Sequence, residues 1–443
     1  MALFGTDGVR GIANRDLTAE LALDLAVAAA HVLGEVGAIS KNRPKAIVGQ
    51  DSRASGEFLE AAIVAGLASA GVDVYKVGVL PTPAIAHLVA STGADLGVMI
   101  SASHNPMPDN GIKFFAKGGG KLDDALEAAI EARLNEPWDR PIGREVGRVI
   151  VDESASERYI FHLLSSLSVN LSGIKVVVDC ANGAASDVAP EVYARAGAQV
   201  IAISNQPNGL NINENCGSTH LENLIAEVKK SGADLGIAHD GDADRCLAVD
   251  AAGNLIDGDF ILAILAKEWK VRTVVGTVMT NLGFIKAMSE AGISFEKTPV
   301  GDRYVLENML ANGHNLGGEQ SGHIIMRDFA NTGDGLLTAL QLMSVMAKTK
   351  KSLKELAEVM VRFPQVLVNV RDVNKSKLET SKAIAVAIND YESKLGASGR
   401  ILLRASGTEP LVRVMVEAES HSHAEEIAQK LASLVTLELS QDS

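Results

Sequence analysis

Short β-branched runs alternate with longer stretches of helical period up to about Phe363. The first such run in each series covers residues 46–49, 176–179 and 274–277. Each is followed by a helix-like stretch, an Ala-Gly pair, a second strand, a second helix and a Leu-Gly pair. The Ala-Gly pairs fall at 70–71, 196–197 and 291–292, and the Leu-Gly pairs at 96–97, 235–236 and 316–317. The pentapeptide GADLG occupies 93–97 and 232–236, and a degraded copy, GHNLG, occupies 313–317. Three elements recurring in one order mark an internal triplication. The spacings from Ala-Gly to Leu-Gly are 26, 39 and 25 residues, so the middle copy carries an insertion. Strands alternating with helices predict three α/β repeats built from βαβ units, with parallel or mixed sheets.

Beyond Pro364 the pattern changes to strand 366–370, helix 378–395, strands 400–403 and 411–417, and helix 424–434. That order predicts a smaller C-terminal α+β domain. The expected organisation is four domains: 1–153, 154–254, 255–363 and 364–443. The most apolar helical stretch, 21–36, carries Asp24, His31 and Glu35, and the run 61–72 is only twelve residues. Neither reaches the roughly 18 uncharged residues of a membrane span. The segment from Met1 to Asp7 shows no basic region followed by an apolar one, so no signal peptide is expected.

Composition narrows the class. The chain has 443 residues with 41 Lys+Arg against 55 Asp+Glu, a net charge of −14. That balance argues against nucleic acid as a partner, since binding it needs basic surface against phosphates. Aromatic residues make up 4%, too few for base-stacking platforms. Cys180, Cys216 and Cys246 form no CxxC pair, so neither a zinc ribbon nor a disulfide framework is implied, which fits a reducing cytoplasm.

Aligning the repeats on Leu-Gly places Ser103, Asp242 and His323 at equivalent positions, each just past a strand. Ligands of open α/β sheets bind at the carboxyl ends of strands. The first loop reads Ser101-Ala102-Ser103-His104-Asn105-Pro106. Ser103 beside His104 has the composition of a nucleophile, and equally that of a polar turn. The second, Asp240-Gly241-Asp242-Ala243-Asp244-Arg245, sets three carboxylates at alternate positions. At ~4 Å and an effective dielectric near 20, each pair repels by roughly 4 kcal/mol, so the cluster calls for a cation or for protonation, unless it is a solvated acidic turn. Arg245 stands where an EF-hand needs Gly, and Ala251 where it needs Glu. Hard oxygen ligands with open positions suit Mg²⁺ that also holds a phosphate oxygen.

The third loop, Gly317-Gly318-Glu319-Gln320-Ser321-Gly322-His323, offers groups for sugar hydroxyls and a base, or a plain glycine-rich connector. The fourth lies in the C-terminal domain: Arg404-Ala405-Ser406-Gly407-Thr408-Glu409-Pro410, with Arg413 beyond. Guanidinium, hydroxyl and backbone donors together make a phosphate cradle. Arg10, Arg53 and Lys113 each sit in a turn-like context where surface placement is the plain reading. Lys113 can return near Ser103 if 105–111 is a loop.

These four loops, in this order, resemble the α-D-phosphohexomutase superfamily over essentially the whole chain. The segment Phe4-Gly5-Thr6-Asp7-Gly8-Val9-Arg10-Gly11 carries the same resemblance. Asn208-Gly209-Leu210-Asn211-Ile212-Asn213, Cys216-Gly217-Ser218-Thr219-His220 and Gln320 are most similar to the bacterial phosphoglucosamine mutases of that superfamily. Met107-Pro108 stands where larger or aromatic residues are more usual.

The resemblance implies one loop from each of four domains meeting in a central cleft. It implies exchange of glucosamine 6-phosphate and glucosamine 1-phosphate through a glucosamine 1,6-bisphosphate that also acts as activator, on the route to UDP-N-acetylglucosamine. It makes Ser103 the phosphoserine, with Asp240, Asp242, Asp244 and a phosphoserine oxygen on one Mg²⁺. It gives Lys113 and His323 acid/base roles, with His104 beside the nucleophile, and puts Arg10 on the transferring phosphoryl group. Glu319, Ser321 and Arg245 fall to the sugar, and Arg404, Ser406, Gly407, Thr408 and Arg413 to the phosphate not being transferred. A cytoplasmic homodimer acting on a small amino-sugar phosphate, away from membranes, completes the expectation. The rivals are a phosphomannomutase/phosphoglucomutase, a Mg²⁺ phosphatase and a non-catalytic sugar-phosphate sensor.

Overall fold

The computed structural model describes residues 3–5, 7–40, 43–405 and 411–440. By contact the chain forms two units, one of residues 1–279 with 293–358, the other of 280–292 with 359–443.

The first unit holds three sheets built on one plan. In the first, the strand Lys45–Gln50 runs parallel to Asp73–Val79 on one side and to Leu96–Ile100 on the other. Asp109–Ala116 then pairs antiparallel with Leu96–Ile100. In the second, Lys175–Asp179 lies between Gln199–Ile203 and Leu235–Ala238, with Leu247–Asp250 antiparallel outside. In the third, Thr273–Thr277 lies between Ser294–Thr298 and Leu316–Gly318, with Ile324–Met326 antiparallel outside. The triplication predicted from spacing is thus present, and all three sheets are parallel or mixed. The first sheet adds Phe4–Gly5 and Gly8–Ile12 at one edge and Val149–Val151 at the other. The insertion of the middle copy falls between Gln199–Ile203 and the helix Glu222–Ser231.

Each candidate loop therefore joins the third parallel strand to its antiparallel neighbour. A tight reversal there brings the loop to the carboxyl end of the parallel strands, where ligands of such sheets bind. Helices Ala19–Glu35 and Ser55–Ser69 cover the first sheet; Gly66 allows close approach, since a Cβ there would meet the Leu23 carbonyl oxygen at 2.6 Å. The helix Gly335–Thr349 is buried on every face from Gly335 to Met346, as expected for a mostly apolar helix whose polar Thr338 and Gln341 are hydrogen-bonded.

The second unit carries an antiparallel sheet, ordered Gln365–Arg371, Leu411–Ala418, Gly399–Ala405, with helices Lys382–Leu395 and His421–Glu438. The helix expected over 378–395 begins later. A 3₁₀ turn, Lys375–Thr380, precedes it. Ser381 accepts from the Ile384 N–H and starts the α-helix proper, because a short hydroxyl side chain satisfies an otherwise orphaned N-terminal donor. Among the described residues, no helix is long and apolar enough to cross a membrane.

Candidate active site

The serine loop is held from below. Ser103 is buried and adopts φ +53°, a left-handed conformation that costs a non-glycine residue of order 1–3 kcal/mol unless its surroundings impose it. They do. Arg53 is fully buried and donates to the carbonyl oxygens of Ser103 (3.0 Å), Asn105 (2.8 Å), Pro106 (2.5 Å) and Asp109 (2.9 Å). Its Nε donates to Asp51 at 3.0 Å, which balances the charge. Surface placement, the plain sequence reading of Arg53, is corrected here: four carbonyl oxygens converge on one guanidinium, and only Arg carries enough donors. Asn213, from the middle copy's insertion, donates to the Ser103 and Asn105 carbonyl oxygens at 2.9 and 3.0 Å. The Ser103 N–H donates to Ser101 Oγ, which in turn donates to Asp51.

The second loop abuts the first. Ser103 Oγ donates to Asp240 Oδ2 at 2.5 Å. Gly241 makes this approach possible: a Cβ there would lie 2.5 Å from the Ser103 carbonyl oxygen. Ligand oxygens of Asp240, Asp242 and Asp244 lie within 4.8 Å of one another, and all three residues are buried. Asp242 Oδ2 accepts from Thr82 Oγ1 (2.5 Å) and from Lys113 Nζ (2.8 Å). Asp242 Oδ1 and Asp244 Oδ1 are buried with no hydrogen-bond partner. Burial, then the charges of Asp244 and Asp242, push the Asp240 carboxyl up to about 8. Arg245 Nε stands 3.8 Å from Asp244 and 4.0 Å from Asp240, too far to satisfy either oxygen directly. Buried, crowded and partnerless carboxylate oxygens are the donor set that a hard divalent cation requires.

The third loop meets the second through Gly322, at φ +91°, where a Cβ would lie 2.3 Å from the Cys246 carbonyl oxygen. His323 Nδ1 stands 3.5 Å from Asp244 Oδ2, and its Nε2 stands 3.5 Å from Asp302 Oδ2. Burial opposes a charged imidazole, but Asp244 and then Asp302 outweigh it and raise His323 to about 9. Glu319 Oε1 accepts from the Gly301 N–H at 3.0 Å, and Ser321 Oγ has no partner.

Lys113 lies on the returning strand Asp109–Ala116, opposite Met99, so the hairpin does bring it back beside the loops. It bonds Asp242 and Asp7, both at 2.8 Å. Arg10 donates to Asp7 at 2.6 Å and stands 3.5 Å from the Ala102 carbonyl oxygen and from Asn105 Oδ1. His104 Nδ1 lies 3.4 Å from Ser103 Oγ, and burial, then Arg245 and Arg10, push its imidazole down to about 4. Three of the four loops thus carry their predicted residues into one first-unit cluster.

In the second unit, Arg404 and Arg413 face each other across antiparallel strands. Burial, then the Arg413 charge, lower the Arg404 guanidinium. Ser406, Gly407 and Thr408 lie outside the described residues.

Sequence reasoning passed over Asp7, Lys121, Asp302, Asp51 and Asn213. Asp7 and Asn213 stand inside segments already marked by resemblance. Lys121 and Asp302 meet across 181 residues of chain, at 2.6 Å, and no local pattern announces such a pair. The Cys216–His220 stretch includes a 3₁₀ turn, Gly217–Thr219; a Cβ on Gly217 would meet Ala181 Cβ and the His239 carbonyl oxygen at 2.6 Å. Its start packs against the second sheet's end.

Four family models match the chain in order. They are phosphoglucomutase/phosphomannomutase alpha/beta/alpha domain I (residues 1–139), domain II (157–253), domain III (257–363) and the C-terminal domain (367–434). The phosphoglucosamine mutase of Streptomyces griseus is 62% identical over 98% of both chains. That of Thermobifida fusca is 60% identical over 99% of both. Among solved structures, a phosphoglucomutase/phosphomannomutase family protein from Burkholderia thailandensis superimposes with a TM-score of 0.82 at 23% identity, covering 98% of this chain and 97% of that one. Aspergillus fumigatus N-acetylphosphoglucosamine mutase, solved with GlcNAc-6P and magnesium, gives 0.69 at 19% identity, covering 98% and 95%. At those identities the superpositions speak for the fold, while the whole-length relatives near 60% narrow the activity. The chain belongs to the phosphoglucomutase/phosphomannomutase family, and within it to the phosphoglucosamine mutases.

Proposed function

We propose that this isomerase interconverts glucosamine 6-phosphate and glucosamine 1-phosphate by phosphoryl transfer at Ser103. The observation that carries the site assignment is the Ser103 hydroxyl bonded at 2.5 Å to one carboxylate of a buried, cation-demanding triad. In the forward half-reaction the bond between phosphorus and Ser103 Oγ breaks. A bond forms from phosphorus to the free sugar hydroxyl; its proton passes to whichever of Lys113 and His323 is in its neutral form, and the other, still protonated, supplies the proton that the leaving Ser103 Oγ takes up. The product is glucosamine 1,6-bisphosphate, which turns end for end and returns its other phosphoryl group to Ser103.

Asp240, Asp242 and Asp244 would hold Mg²⁺, which supplies positive charge to phosphoryl oxygens. Arg10, beside the Ala102 carbonyl, adds a guanidinium for the same equatorial oxygens. The buried Asp51–Arg53 pair fixes the nucleophile's backbone, so little reorganisation is needed at the moment of transfer. Glu319, Ser321 and Arg245 read the sugar, and His104 stays neutral beside the nucleophile. Arg404, Ser406, Gly407, Thr408 and Arg413 hold the phosphate not in transfer. The boundaries 1–153, 154–254, 255–363 and 364–443, a homodimer and a cytoplasmic location belong to the same reading.

The test is isomerisation of glucosamine 6-phosphate beside glucose and mannose 6-phosphates, with Mg²⁺ and a trace of the matching bisphosphate, for wild type and Ser103→Ala. A preference for the amino sugar above about tenfold, or ~1.4 kcal/mol in transition-state terms, lost in the variant, is expected. Preference for glucose or mannose would reassign the substrate. Full activity in Ser103→Ala would overturn the mechanism.

A further inference from the structure

Lys113 and His323, assigned above to proton transfer, lie on different repeats, and a chain of partly buried charged side chains joins them. Lys113 bonds Asp7 at 2.8 Å, and Asp7 bonds Lys121 at 2.6 Å. Lys121 bonds Asp302 at 2.6 Å, and Asp302 stands 3.5 Å from His323 Nε2, the nitrogen that also accepts from the Gly333 N–H at 3.1 Å. On the far side Lys113 holds Asp242 and His323 faces Asp244, so the carboxylate triad closes the circuit. Signs alternate along the linking arm from Lys113 to His323. Lys121 occupies its middle, with side-chain exposure of 17%. Asp7 and Asp302 repel each other, and Lys121 is the cation shared by both.

We propose that Lys121, with Asp7 and Asp302, is a positioning residue that sets Lys113 and His323 at a fixed separation around the phosphoryl group. Lys121 touches neither the triad nor the serine loop, so it acts through the two groups its partners hold. Removing its charge leaves Asp7 and Asp302 repelling across a gap. Asp7 then draws Lys113 away from Asp242, and Asp302 draws His323 away from Asp244. A misplacement near 1 Å at reacting groups can cost about a hundredfold in rate, while ground-state binding is spared. The inference rests on the mutase reading above.

The neighbouring Arg303 offers a control. Its side chain joins the same two repeats through Asp124 and Glu127 and bonds no side chain of the circuit, while its backbone N–H, which Arg303→Ala keeps, donates to Asp302 Oδ1 at 2.8 Å. A docking role alone would make Arg303 and Lys121 equivalent.

The experiment measures kcat and KM for glucosamine 6-phosphate isomerisation, with melting temperatures, for wild type, Lys121→Met, Lys121→Arg, Asp302→Asn and Arg303→Ala. Lys121→Met and Asp302→Asn are expected to lower kcat about tenfold or more with KM within about threefold. Lys121→Arg should recover most of kcat, because it keeps the charge. Arg303→Ala should shift the melting temperature and leave kcat within about twofold. Asp302→Asn, nearly isosteric, carries the test if Lys121→Met does not fold. Wild-type turnover with kcat within twofold in the charge-removing variants, or a matching loss in Arg303→Ala, overturns the positioning role alone. Absence of isomerisation in the wild type overturns the mutase reading with it.

Discussion

Ser103 shows how completely one residue can be held by its neighbours. Its carbonyl is fixed by Arg53 and Asn213, its amide by Ser101, and its hydroxyl by Asp240. Gly241 is the point at which this arrangement is most easily broken. Gly241→Ala puts a methyl group 2.5 Å from the Ser103 carbonyl oxygen. Overpacking of that kind costs about 1–3 kcal/mol, so the melting temperature should fall. Activity should fall further, because the displaced loop carries Ser103, the proposed nucleophile. Thermal unfolding and kcat/KM on one preparation check both. Arg53 is a harsher case. Arg53→Met leaves Asp51 buried and uncompensated, an expected loss of about 3–5 kcal/mol. Urea titration of the purified variant measures it. The residue identities of the triad, Ser103 and His323 were legible because motif and repeat register coincide, and Lys113 only through its short return from Ser103. Arg53 was not, since nothing local distinguishes an arginine in a turn from one beneath a loop.

At the scale of elements, periodicity was enough to find the strands and helices of the three repeats. The loop positions followed from aligning Leu-Gly pairs. Pairing was harder. The antiparallel fourth strand of each sheet is what converts a strand end into a hairpin loop, and no spacing rule dictates its direction. The helix expected from residue 378 starts at Lys382 because Ser381 and Asn374 each capture a backbone N–H. The middle insertion does more than lengthen a connection, since Asn213 reaches the first repeat's serine loop from it. Asn213→Ala removes two hydrogen bonds to buried carbonyl oxygens and should cost about 1–3 kcal/mol of stability. It should also lower kcat more than it raises KM, which a substrate titration would separate.

Across the whole molecule, stability should depend on both acidity and cations. His87 and His162, on helices Thr82–Thr92 and Ala155–Ser165, stack with ring centroids 3.9 Å apart. Burial, then His162 and Arg158, push His87 down to about 4; burial also lowers His162. The unfolded chain therefore binds protons near pH 6.5 that the native state refuses until about pH 4. Stability is held above pH 6.5 and declines as the pH falls toward 4, by at most about 1.4 kcal/mol per pH unit for each histidine before solvent screening reduces it. His87→Phe should flatten that slope in melting curves taken across the range. Cations act through mass action. At a hundred times its dissociation constant, Mg²⁺ should stabilise the fold by about 2.7 kcal/mol, a shift that Asp242→Asn abolishes and a chelator reverses.

The hydrogen bond from Ser103 to Asp240 exists only while Ser103 keeps its proton. A phosphoryl group replaces that donor with about −1.5 to −2 charges, set against three carboxylates. The unmodified protein can relieve its triad by sharing a hydroxyl proton, whereas the charged form has to find metal. One preparation can then hold two populations of equal sequence and unequal thirst for magnesium. In chelator they should melt apart, with the modified fraction, counted by intact mass, matching the earlier transition. Restoring the ion should merge the two curves.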